Sequence, residues 1–214
     1  MDFLKATTYH SNLLGNMLFN YSHQLSIFNV SNKQRKLNRI IRRLCYLSTI
    51  SDIKNNSCYM CVDNGQLVGQ FTLLSPKEYK RSISTTIYKC GLPIFFESIK
   101  FLFNWSFPII GTIMKNMIES HALLERHNLE NIWLLDQVSL DPKAVNSEIF
   151  QQIIEQIQKI ITINGGNGVV LVTNSRHQLN QFLNNNFSIV DSSIIPNRKQ
   201  SIPTWMLSWH LRKI

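Results

Sequence analysis

Residues 132–154 read IWLLDQVSLDPKAVNSEIFQQII, and the fold turns on this stretch. The apolar run 131–140, stopped by Asp141-Pro142, predicts a strand. Over residues 146–163 the spacing changes. Ile149, Ile153, Ile154, Ile157, Ile160 and Ile161 recur at the helical period, and Asn164-Gly165-Gly166 ends the helix. Residues 168–173 follow as a short apolar run of the kind a buried strand makes. Strand, helix and strand in succession call for parallel pairing of the two strands.

The flanks call for the opposite pairing. Residues 58–62 and 66–74 flank Asp63-Asn64-Gly65, and an Asn-Gly turn between apolar runs predicts a hairpin. Residues 3–7 predict a first strand, and residues 11–22 a helix with Ser11 in position to cap it. Residues 93–127 predict a long helical region bent or broken near Pro108. Past the central unit come a short helix at 177–185, a strand at 187–195, a turn at Pro196-Asn197 and a last strand at 204–211. No repeat or linker divides the chain. The expectation is one α/β (α+β) domain over residues 1–214, with a mixed central sheet and helices on both faces.

Hydrophobic residues make up 44% and charged residues 16% of the chain, which excludes a disordered protein and suffices for a core without disulfides or metals. The cysteines are Cys45, Cys58, Cys61 and Cys90. Cys58 and Cys61 form a C-x-x-C, but no second pair or nearby histidine completes a zinc site, and a strand at 58–62 turns the two side chains to opposite faces. They read as buried thiols in a reducing, cytoplasmic setting, with no metal. The opening MDFLKATTYHSN has neither the basic start nor the apolar core of a signal peptide. The uncharged run 101–114 is broken by Asn104, Pro108 and Gly111. It falls short of the roughly 20 apolar residues a membrane span needs, and reads as a buried or interface helix.

The net charge is +9, of which residues 1–56 supply +6. The excess sits in KQRKLNRIIRR, residues 33–43, where Leu37, Ile40, Ile41, Leu44 and Leu47 recur at helical spacing. This predicts an amphipathic helix with a basic outer face. Such a face is either solvated surface or a binding surface for a protein partner, an acidic substrate, a phosphate-bearing cofactor or a membrane. No nucleic-acid motif accompanies it, which argues against nucleic acid.

With these elements in order, residues 132–154 resemble the central strand, phosphate loop and following helix of the GNAT acetyltransferases. The strand enters as Trp133-Leu134-Leu135 and ends as Val138-Ser139-Leu140-Asp141-Pro142. Val169–Thr173 is similar to the family's next strand, residues 181–187 to the segment after it, and Pro203-Thr204-Trp205-Met206 to its closing hairpin. Asn64-Gly65 and Leu67-Val68-Gly69 suit its early strands. The resemblance covers most of residues 57–210. It implies an acyl-CoA-dependent N-acyltransferase: an amine attacks the thioester of acetyl-CoA, and backbone N–H groups at Val138, Ser139 and Leu140 hold the carbonyl oxygen and pantetheine. The pyrophosphate would lie on the loop and helix start formed by Val145, Asn146, Ser147, Glu148, Ile149 and Phe150. Asn174 and Phe182 complete the implied cofactor contacts.

Several of these positions depart from the family pattern. Val145, Glu148 and Phe150 stand where Gln or Arg and two small residues are usual. Glu148 adds a negative charge beside two phosphates, an unfavourable interaction of roughly 1–4 kcal/mol depending on screening. Phe182 replaces a tyrosine that returns a proton to the departing thiolate, and Asn186 replaces a glycine while still tolerating left-handed backbone. Candidates for the general base are Asp136 and Glu125, with Glu119, His121 and His127 beside Glu125. Alternation along the strand puts Asp136 on the face of Leu134 and Val138. Two functions follow: an N-acetyltransferase acting on an amine, or a catalytically degenerate GNAT-fold pseudoenzyme that binds a partner or regulates. The acceptor and the oligomeric state are not written in the sequence.

Overall fold

A computed structural model describes residues 1–22, 35–78, 107–127, 129–142, 147–195 and 201–210. Seven strands form one mixed sheet: β1 (Asp2–Lys5), β2 (Cys58–Asp63), β3 (Gln66–Leu74), β4 (Ile132–Leu140), β5 (Gly168–Thr173), β6 (Ser188–Ile195) and β7 (Ile202–His210). Their order across the sheet is β1-β2-β3-β4-β5-β7-β6. Only β4 and β5 are parallel, as the strand–helix–strand reading requires; every other neighbouring pair is antiparallel. The β2–β3 turn has φ of +48° at Asn64 and +76° at Gly65, a left-handed pair that Asn-Gly adopts at little cost. β7 returns between β5 and β6, so the closing hairpin presents β6 as the sheet edge.

Among the described residues, helices α1 (Ser11–Ser22), α2 (Arg35–Lys54), α3 (Phe107–Glu125), α4 (Ser147–Ile163) and α5 (Arg176–Leu183) accompany the sheet. The isoleucine stripe of α4 does what its spacing predicts: Ile153, Ile154, Ile157 and Ile161 are buried with Phe71, Leu73, Leu135, Val138, Val169 and Leu207 on one face of the sheet. Each such side chain contributes roughly 1.5–3 kcal/mol on burial. On the other face Leu74, Leu134, Val170 and Met206 pack with Leu124 of α3. Successive residues such as Leu73 and Leu74, or Leu171 and Val170, go to opposite clusters, as a pleated strand demands. Leu14 of α1 packs over Cys58 and Met60 on that second face. Gly15 admits the close approach of α1 to α2, because a Cβ there would stand 3.0 Å from the Tyr46 Cα of α2.

The basic helix runs further than its charged stretch. Ile41, Cys45, Thr49, Asp52 and Ile53 are its buried residues, while Arg39, Arg42 and Arg43 face outward. Ser11 does not cap α1 in the expected way. Its hydroxyl donates to the Thr8 carbonyl at 2.8 Å, and a 3-10 turn at Thr8–His10 runs directly into the helix. Cys58 and Cys61 lie buried on opposite faces, and Cys45 is buried among the helices; none of the three is in a disulfide. Residues 93–106, Cys90, Lys33 and Gln34 of the basic run, and the Pro196-Asn197 turn lie outside the described residues. Among the described residues no helix is long and apolar enough to cross a membrane, and no metal-binding group of His, Cys, Asp or Glu is found.

Candidate active site

The parallel strands separate. β4 pairs with β5 only through Ile132, Leu134 and the residue between them, matched to Gly168–Val170. From Leu135 onward β4 has no strand partner on its β5 side among the described residues. The cause lies on the other edge of β4. Against β3, Thr72 faces Gln137 and Leu73 faces Leu135, so Asp136 is the extra residue of a β-bulge. A bulge bends its strand and re-aims its side chains. The expected alternation is therefore overturned: Leu134 and Val138 belong to clusters on opposite faces, because the bulge adds a residue between them.

The separation opens a cleft of about 220 Å³. Asp136 and Val138 line it from β4, Asn174 from the end of β5, Phe182 and Gln178 from α5, and Tyr21 from α1. Ser175 caps α5, its hydroxyl accepting from the Gln178 N–H at 3.3 Å. A directed chain of hydrogen bonds crosses the wall. The Ser175 N–H donates to Thr173 Oγ1 at 3.1 Å, the Thr173 hydroxyl donates to Gln178 Oε1 at 2.5 Å, and Gln178 Nε2 donates to the Tyr21 hydroxyl at 2.8 Å. Asn174 Nδ2 donates to Asn116 Oδ1 of α3 at 3.3 Å, tying the end of β5 to the far wall.

Two carboxylates, Asp136 and Asp52, lie within each other's electric field. Asp136 is open to the cleft but ringed by the protein, and the resulting desolvation raises its carboxyl above the ordinary range. Solvent in the cleft limits that rise. Asp52 of α2 is shut away from solvent, and burial, then the charge of Asp136, push it well above the usual value, while a hydrogen bond from Thr72 at 3.1 Å opposes them. The pair therefore titrates as a unit that retains protons to higher pH than isolated carboxylates do. Burial, then the field of Asp52, push the neighbouring Cys58 thiol up to about 12, so it is an inert thiol. Burial likewise raises the Tyr21 hydroxyl to about 12.

The other expected positions divide. Glu125 lies outside the cleft lining: it is exposed near the end of α3, 3.4 Å from His121. His127 and Arg126 are committed to Asp191 of β6, and Glu119 to Arg126. That corrects the choice of Glu125 as base: it is exposed, turned to His121 of its own helix and off the cleft lining. Ser139 and Leu140 are fully buried rather than lining the cleft. Val145 and Asn146 lie outside the described residues. Ser147 and Glu148 are exposed at the start of α4 and Ile149 is half-buried. Phe150 turns inward, its ring edge-on to Phe182 at 5.2 Å, with Phe187 on the other side of Phe182 at 5.0 Å. Its bulk falls in the core under the cleft floor.

The sequence reading missed Tyr21, Asp52 and Gln178. Tyr21 follows Leu14 and Leu18 at helical spacing, and Asp52 continues the stripe of Ile41, Cys45 and Thr49. A carboxylate on the apolar side of a helix was the available signal. Gln178 carried none.

No protein-family model matches the chain, and no curated protein matches it in sequence. Its shape does have relatives. A mutant agmatine N-acetyltransferase without ligand superposes with a TM-score of 0.64 at 9% identity, over 98% of this chain and 99% of that one. Arylalkylamine N-acetyltransferase 2 from Aedes aegypti gives 0.62 at 12% identity, over 98% of each chain. A PaiA N-acetyltransferase from Thermoplasma acidophilum, in complex with coenzyme A, gives 0.54 at 9% identity, over 98% of each chain. The mixed sheet, the parted parallel strands and these superpositions establish that the chain has the GNAT N-acetyltransferase fold.

Proposed function

We propose that this protein is an acyl-CoA-dependent N-acyltransferase, with an amine as acceptor and Asp136 as the group that takes the amine proton. The observation that carries the reading is Asp136 itself, a carboxylate placed by a bulge on the wall of the cleft between two parted parallel strands. A primary amine must lose a proton to become an amide, and it arrives largely as an ammonium at neutral pH. A carboxylate displaced upward is a stronger base than an ordinary one while still largely ionised above its own midpoint. A cleft wall that is negative at Asp136 also attracts an ammonium.

The residues present fit the thioester end of acetyl-CoA. Beyond Leu134, β4 has no strand on its β5 side among the described residues and offers backbone beside an apolar floor of Leu171 and Phe182. Val138 and Asn174 stand on the walls where the pantetheine arm would run. When bound, the thioester supplies the activated acyl group; the chain orients the two reactants, excludes water with its apolar floor and holds the displaced proton at Asp136. The resemblance to enzymes that acetylate agmatine and arylalkylamines supports an amine acceptor.

Glu148 favours a second reading. It is exposed at the first turn of α4, where it suits the helix but opposes a pyrophosphate. A chain that had given up the cofactor would use another surface, such as Arg39, Arg42 and Arg43 on the outer side of α2, for a partner. Calorimetric titration with acetyl-CoA and with CoA decides between the two. Micromolar binding followed by thiol release with an amine panel is expected. No heat at millimolar CoA would sink the enzyme reading.

A further inference from the structure

We propose that Tyr21 is the hydrogen-bond donor to the sulfur atom that leaves when the acyl group is transferred. The inference rests on the acyltransferase reading and adds to it a residue from a different helix than the one that carries Phe182.

Acyl transfer from a thioester to an amine forms a C–N bond and breaks a C–S bond, and the electron pair of the C–S bond moves onto sulfur. The amine proton goes to Asp136. The sulfur therefore needs a donor, and Phe182 has no hydroxyl to offer. Of the residues lining the cleft, only Asp136 and Tyr21 titrate. Asp136 is the acceptor; of the other groups on the lining able to donate, among them Ser120 and the amides of Asn116, Gln137 and Asn174, the phenol of Tyr21 is the most acidic. Gln178 of α5 and Asn116 and Ser120 of α3, which share the lining with Tyr21, are neutral; the charged groups are Asp136 of β4 on the same lining, Asp52 of α2 in its field, and Arg42 of α2 over the ring of Phe19.

The polarity of the wall fixes what Tyr21 does with its proton. Because the Ser175 N–H occupies Thr173 Oγ1, the Thr173 hydrogen goes to Gln178 Oε1. The Gln178 amide then has only its nitrogen to present, and this donates to Tyr21. Tyr21 accepts that bond and keeps its own hydrogen, for which no acceptor is found among the described residues. Gln178 and Phe182 are four residues apart on α5 and so neighbours on one side of the helix. The hydroxyl of Tyr21 thus borders the same cleft as Phe182, held there by the α5 residue one turn before it.

Burial holds Tyr21 protonated up to about pH 12. A thiol is a stronger acid than a buried phenol, so moving the tyrosine proton onto sulfur is uphill. Tyr21 therefore donates a hydrogen bond and retains its proton, and the thiolate is protonated by solvent on release.

The experiment compares wild type with Tyr21→Phe in two ways. The first is CoA affinity by calorimetry from pH 6 to 10, with dethio-CoA, which lacks the sulfur, as the reference probe. A donor to sulfur stabilises the bound thiolate, so wild-type affinity for CoA rises about tenfold with pH relative to dethio-CoA. In Tyr21→Phe the rise disappears while affinity at pH 6 stays unchanged, which also shows that the variant folds. The second is turnover, expected to fall roughly 10- to 100-fold in the variant. Identical pH curves in the two proteins would overturn the proposal, and so would an undiminished rate. A slowed rate with identical pH curves would also overturn it, since the donor would then serve another atom. Failure of wild type to bind CoA at all would overturn the acyltransferase reading, and this proposal with it.

Discussion

The Thr72 hydroxyl lies 3.1 Å from Asp52 Oδ2, a bond from the middle of the sheet to an acid on the inward side of a basic helix. Thr72 is also the residue of β3 that faces Gln137 at the bulge. One strand position therefore supports the buried carboxylate and borders the bulge that presents Asp136.

The sign of the pH effect on stability follows from Asp52. Its folded carboxyl is raised well above the value of about 4 that it takes in the unfolded chain. The folded state then holds the proton more tightly, so this contribution is full below about pH 4 and is lost as pH rises through the raised value. Asp52→Asn removes that loss. Denaturant unfolding should show the variant gaining steadily on wild type as pH rises from 5 to 8. A constant difference across the range would contradict the buried acid.

Asp136→Asn should lower turnover by about 10²- to 10⁴-fold while leaving CoA affinity within about twofold. In wild type the rate should rise with pH through a midpoint above the ordinary carboxylate range, since the base works only when ionised. Glu125→Gln should leave the rate unchanged. A rate profile of both variants checks this directly.

Phe150→Gly, which restores the small residue of the family pattern, should destabilise the protein by roughly 3–5 kcal/mol, because it empties a core site against Phe182. Thermal or denaturant unfolding measures it. A loss below about 1 kcal/mol would mean that the ring is not packed as described.

Glu148→Gln should strengthen CoA binding about two- to fivefold, since an exposed charge at the helix start is well screened. The same change should cost roughly 0.3–1 kcal/mol of stability, as the first turn of α4 loses a favourable charge. Titration at low and high salt separates the two, because the gain in affinity should shrink as salt is added.

Asn186 has a φ of +65°, so Asn186→Val should destabilise by about 1–2 kcal/mol, and Asn186→Gly by far less. Unfolding of the two variants side by side tests the reading.

The sequence by itself determined which segments are strands and helices, the parallel centre with antiparallel flanks, and the resemblance on which the acyltransferase reading rests. These are local or periodic properties: the isoleucine stripe of residues 149–161 and the turn at Asn64-Gly65 carry their own geometry. It also flagged Asp136, the Phe182 replacement and the left-handed tolerance of Asn186. What only the tertiary structure decided is how distant pieces meet. The bulge at Asp136 is a mismatch of register between β3 and β4, and no residue of β4 announces it. Phe150 follows the implied phosphate loop in sequence, where the resemblance expects a small residue, yet its ring answers to Phe182, thirty-two positions away. Tyr21 and Gln178, more than a hundred and fifty positions apart, become one hydrogen-bonded wall because α1 and α5 flank the same parted strands. Period and composition report a residue's local conformation, while the chemistry of a cleft depends on long-range contacts between side chains that sequence spacing does not encode.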